Sequence, residues 1–278
     1  MTALVDLSDV LNRMTGGNSG TPENIWWHKQ ARIAGAAATA PIAGRPASLW
    51  TYDGQPSGGV APTTVAVPDN TTTGGLKQTD PGGGREKWLI GGAATGSVAG
   101  ELILYDRLLH IGGLSGTVTT AQTVGGSLTR YTDGIGNMVW AEIYTIIGTS
   151  ATTITMSYTD QGAASGITSI ATAFGGTGFR EVTRCIMLPL AAGDTGVQAV
   201  ASVTVLATTS TAGDFGVTVG HPLARFAINQ VGGSGWRDFV TGLPGVPEIQ
   251  TDACLSMLWM PNSTTAPELF GCLSFVEA

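Results

Sequence analysis

From residue 87 onward the chain consists of short runs of Val, Ile, Thr, Leu and aromatic residues, broken by Gly, Ser and Asp. The breaks fall roughly every 8–12 residues, the rhythm of an all-β sandwich or barrel. The runs predict strands at 87–91, 101–111, 116–124, 127–132, 138–147, 151–159, 180–190, 197–207, 215–220, 223–228, 250–260 and 268–276. Alternation is clearest at 152–158. There Ile154, Met156 and Tyr158 share one face and Thr153, Thr155 and Ser157 the other. Only 163–173 carries a weak helical pattern, so alternating strand and helix units are missing and a parallel α/β sheet is excluded. The expected fold is mainly β, a jelly-roll-like β-sandwich over 87–278. The echo between Ala253-Cys254-Leu255-Ser256 and Gly271-Cys272-Leu273-Ser274 suggests two neighbouring strands of one hairpin.

The first 86 residues read differently. Leu4, Leu7, Val10, Leu11 and Met14 recur at spacings of three and four, which predicts one short helix over 3–14, stopped by Gly16-Gly17. The segment 15–86 holds Pro22, Pro41, Pro46, Pro56, Pro62, Pro68 and Pro81, a spacing that argues against long helices and central strands. It also holds Trp26, Trp27, Trp50 and Tyr52, too many large aromatics for a free linker. The expectation is an N-terminal helix and extended arm at 1–86, docking on its own β domain or on a neighbouring subunit. The four aromatics are the candidate interface residues.

Composition narrows the function. Charged residues are 12% of the 278, about half the usual ~25%, and the net charge is −7. The ten arginines are scattered singly, so the clustered basic surface that neutralises nucleic-acid phosphates is absent and no nucleic-acid partner is expected. No run approaches the ~18 apolar residues of a spanning helix, so no membrane partner is expected either. The N-terminal stretch carries two aspartates and no basic leader, which argues against a secretory signal. Cys185, Cys254 and Cys272 are odd in number and widely spaced, as expected of reduced thiols in a protein made in a cytoplasm.

Catalytic and cofactor motifs are not readable. His28, His110 and His221 lack metal-ligand spacing. No nucleophile elbow or phosphate loop occurs, and the glycine clusters at 82–84, 91–92 and 175–178 open no helix. Glu101, Asp106 and Glu142 fall on predicted strands, but nothing pairs them for glycoside hydrolysis. The Asp133–Asn137 run lacks the further acids of a calcium loop. No enzyme activity, cofactor or metal is expected.

Low charge and short side chains suit repetitive assembly, because small side chains lose little entropy on burial. Three stretches add a resemblance: Arg184–Val197 followed by Val200–Val203, Thr211–Val219, and Leu102–Gly116. They resemble virion structural proteins of tailed bacteriophages, most closely capsid decoration (cement) proteins, over roughly residues 85–278. That resemblance implies a non-enzymatic homo-oligomer, a dimer or trimer. It would sit on the capsid exterior, bind the major capsid protein and hold capsomers together, with the arm clasping neighbours. Other readings are a tail, baseplate or receptor-binding component, the major capsid protein, and a carbohydrate-active β-sandwich. Against the second stands the lack of a readable spine helix. Against the third stands the scatter of Trp88, Trp140, Trp236 and Trp259.

Overall fold

The structure is a computed structural model that describes residues 6–17, 21–33, 41–242 and 245–277. Among the described residues one helix, α1 (Leu7–Met14), precedes seventeen strands. These are β1 (Pro22–Ile33), β2 (Ala47–Ser48), β3 (Tyr52–Gln55), β4 (Lys87–Gly96), β5 (Gly100–Leu114), β6 (Gln122–Thr123), β7 (Met138–Thr145), β8 (Thr152–Asp160), β9 (Ile167–Thr168), β10 (Thr172–Phe174), β11 (Cys185–Met187), β12 (Val197–Val205), β13 (Asp214–Ile228), β14 (Ser234–Asp238), β15 (Glu248–Ile249), β16 (Leu255–Pro261) and β17 (Glu268–Glu277). The chain is thus mainly β, with antiparallel sheets in a sandwich-like arrangement.

Three sheets form. The central one runs β11-β7-β13-β5-β16-β2. A second runs β14-β4-β17-β1-β3, with β15 beside β4, and a third runs β10-β8-β12-β6, with β9 beside β8. The long strands β5 and β13 serve both halves of the molecule. Leu102, Leu104, Phe226 and Ile228 pack with Trp27, Leu89, Leu273 and Phe275 of the second sheet. Further along, Leu109, Val217, Val219 and Ala141 pack with Ile154, Met156, Val203 and Val205 of the third. Asp106 lies on β5 between these two cores, where Arg130 reaches it at 2.8 Å.

Side chains alternate across a strand. Val139, Ala141 and Ile143 of β7 enter the second core, so Trp140, Glu142 and Tyr144 point to the other side of the central sheet. That side is covered by the chain between β2 and β4. Ala66 bridges to His110 and Leu76 to Leu255. Trp50 packs edge-on against His110 and flat beneath Arg107, 4.4 Å from its ring centre. Gly112 permits this approach: a Cβ there would lie 2.0 Å from the Pro62 carbonyl oxygen.

Several expectations need correction. Residues 22–33 form an interior strand of the second sheet, paired with β17 and β3. The prolines do not prevent it. Pro22 is the first residue, where no ladder donor is needed, and the next proline is Pro41. The expected strands at 215–220 and 223–228 are one strand, β13. It carries His221-Pro222 across a register shift between Pro222 and Ala224, so the ladder absorbs the missing N–H. The predicted strand at 127–132 is loop, that at 116–124 shrinks to β6, and that at 180–190 shrinks to β11. In place of a helix, 163–173 carries β9 and the start of β10. The echo of 253–256 and 271–274 makes no hairpin, since β16 lies in the central sheet and β17 in the second.

The helix begins at Asp6, whose carboxylate accepts from the Asp9 N–H at 2.8 Å, and it ends before Gly16 at φ +82°. Residues 3–5 of the expected helix lie outside the described residues. Val10 seats α1 on Ile90 and Val276, at one end of the outer face of the second sheet.

Candidate interaction surface

On the outer face of the second sheet several large apolar side chains remain open together. Its geometry follows from the register. Trp26 pairs with Cys272, Cys272 with Ala93, and Ala93 with Trp236. Directly opposed residues share a face, so these four form one row across β1, β17, β4 and β14. The next row is His28, Phe270, Thr95 and Ser234. Trp26 is 75% exposed and Trp236 69%, while Ala93 and Cys272 between them are small. The row is therefore a trough with an indole at either end.

Two grooves meet on the floor of Ala93 and Cys272. One, about 510 Å³, is walled by Trp26, His28 and Phe270. The other, about 420 Å³, lies between Trp236 and the apolar side of α1, where Leu7, Leu11 and Met14 stay about half exposed. At the rim, His28 stacks on Phe270 at 4.3 Å and its Nε2 lies 3.2 Å from Glu268 Oε1. Single exposed hydrophobics are ordinary on a protein surface, but a contiguous set with a polar rim marks an interaction site.

The four sequence-nominated aromatics separate. Trp26 is on this face. Its neighbour Trp27 points inward to the core. Gly271 makes room for it, since a Cβ there would lie 2.3 Å from the indole. Trp50 is buried over Arg107, and its Nε1 donates to the Val60 carbonyl at 3.0 Å. Tyr52 lies in the core with Leu49 and Leu76. Trp236 and Phe270 were not nominated. The readable signal was the Trp26-Trp27 pair: adjacent residues of a strand face opposite ways, so one indole had to face out. What lies beside it across the sheet depends on register, which spacing does not reveal.

The titratable groups weighed for chemistry are engaged in structure. Glu101 pairs with Arg225 at 2.6 Å, Asp106 with Arg130 at 2.8 Å, and Glu142 with Arg107 at 2.9 Å. His110 Nδ1 accepts from Arg107 Nε at 2.9 Å. Burial, with the guanidinium beside it, pushes the imidazole down to about 3. His221 stacks on Tyr131 at 3.7 Å, and burial lowers it as well. Among the described residues no three His, Cys, Asp or Glu side chains converge as a metal site, and no helix is long and apolar enough to cross a membrane. Gly134 and Gly136 turn the 133–137 loop at positive φ.

No protein-family model matches the chain, and no curated protein matches it. Solved structures give distant matches. The structure of infectious bursal disease virus Gt strain shares 8% identity at a TM-score of 0.19, over 93% of this chain and 81% of that one. The infectious bursal disease virus VP2 subviral particle shares 7% at a TM-score of 0.18, over 92% and 80%. At these scores the superposition does not define a common fold.

Proposed function

We propose that the chain is a non-enzymatic structural protein of a virus particle. In this reading it is a decoration protein that binds shell proteins from the capsid exterior and holds capsomers together, working as a homo-oligomer. The observation that carries the proposal is the row Trp26–Cys272–Ala93–Trp236. It offers two open indoles on a rigid sheet with little charge, and buried Trp side chains dominate interface energies, often at ≥ ~2 kcal/mol each. The resemblance over 85–278 to phage virion proteins and the weakly charged composition support the same reading. The rigidity has a physical basis too. The segment expected to be an arm contributes β1, β2 and β3 to two of the sheets, so the binding face stands on strands rather than on a tether.

The test is co-sedimentation with particles stripped of the chain. Wild-type protein should pellet with them, and the Trp26→Ser, Trp236→Ser double variant should bind at least tenfold more weakly while staying folded. Undiminished binding by the double variant would remove the face from the proposal.

A further inference from the structure

Where β1 meets the start of β4, one lysine is enclosed by a set of groups that the proposed capsid role does not use. Lys87 has no solvent exposure and its ammonium lies under the ring of Phe275, 5.4 Å from the centre. Its Nζ donates to Glu23 Oε2, to the Thr79 carbonyl, and to the side-chain carbonyl of Gln78 at 3.1 Å. Gln78 is itself buried. Its amide nitrogen, Nε2, faces Asp80 Oδ1 at 3.4 Å. Asp80 Oδ1 in turn accepts from the Asp252 N–H at 2.8 Å. The turn that returns the chain from Gln78 to Lys87 is Pro81-Gly82-Gly83-Gly84, with Gly83 and Gly84 at positive φ.

We propose that Lys87 and Gln78 join in an intramolecular isopeptide bond, formed by the folded protein without any added enzyme or cofactor. Glu23 takes a proton from Lys87 Nζ. The freed electron pair attacks Gln78 Cδ, and the tetrahedral carbon collapses with loss of Nε2. The second proton leaving Nζ passes to Nε2, so the leaving group departs as ammonia and Glu23 keeps the first proton. One N–C bond forms and one breaks; nothing is oxidised or reduced. Each part has a physical reason. Fixing nucleophile and amide side by side replaces an encounter with a unimolecular step. The adjacent Glu23 carboxylate is the proton acceptor that frees the Lys87 amine for attack.

The measurement is the intact mass of the folded full chain, followed by tryptic mapping. The proposal expects a chain lighter than its sequence by one ammonia, after allowance for the N-terminal Met. It also expects no cleavage after Lys87, with peptide 78–85 joined to 86–107. Gln78→Asn, which shortens the amide arm, should keep its full mass. Glu23→Gln, which keeps an acceptor for Thr79, should form the bond at least a hundredfold more slowly. A wild-type chain that keeps its full mass after prolonged incubation and is cleaved fully after Lys87 overturns the proposal. Bond formation at the wild-type rate in Glu23→Gln overturns the proton path.

Discussion

Arg107 Nη2 donates to Glu142 Oε2 across 2.9 Å with neither side chain in contact with solvent. The pair is built into a network in which Thr218 donates to the same carboxylate oxygen at 2.9 Å. The Tyr144 hydroxyl accepts from Arg107 at 2.9 Å. Removing one partner strands the other charge in the interior, which costs about 3–5 kcal/mol, whereas replacing both with apolar groups is often neutral. Glu142→Ala should therefore lower unfolding stability by that amount in denaturant titration. The Arg107→Met, Glu142→Leu double variant should lose clearly less. A double variant as unstable as the single one would contradict this account of the network.

The same network sets an acid limit. His110 is pushed from 6.5 to about 3 in the folded state. The unfolded chain then binds more protons between those values, so stability must fall as pH drops from about 6.5 toward 3. His110→Gln should flatten that part of the stability–pH curve. A wild-type curve that stays level across this window, or an unchanged slope in the variant, would count against it.

Trp50 covers Arg107 from the side of the segment between β2 and β4, and it is almost fully buried. Its truncation to Ala leaves a large void, for which about 3–5 kcal/mol is typical. Trp26→Ser should change stability by no more than about 0.5 kcal/mol, as for other surface substitutions. Thermal unfolding of the two variants side by side checks the contrast. Equal losses would mean that the two tryptophans do not differ in burial as described.

Gly216→Ala should prevent correct assembly of the central sheet. A Cβ at that position would lie 1.8 Å from the Ile111 carbonyl oxygen, and the contact is backbone rather than a movable side chain. Soluble yield and the chevron of a destabilised variant report it; a variant folding like wild type would show that β13 and β5 approach less closely there.

How much of this was legible in the sequence depended on the physics of each segment. β8 was readable because one face is buried and the other is not, which writes period two into Ile154, Met156 and Tyr158, whereas in β12 two register shifts break the alternation, burying Val200 and leaving Ala201 exposed. β1 was not, because its prolines were weighed by density and not by position. β5 and β13 outran their expected lengths because bulges let a strand carry Pro222 and change its partner core midway. The candidate surface was half readable. Trp26 is conspicuous beside Trp27, but Trp236 reaches the same row only through three register pairings between strands that are far apart in sequence.

In the proposed role the chain is a repeated component of a virus particle's shell. The direct measurement is its copy number relative to the major shell protein in purified particles, by quantitative mass spectrometry. Hundreds of copies in a simple ratio to the shell protein are expected. A few to a few dozen copies, or absence from mature particles, would contradict it.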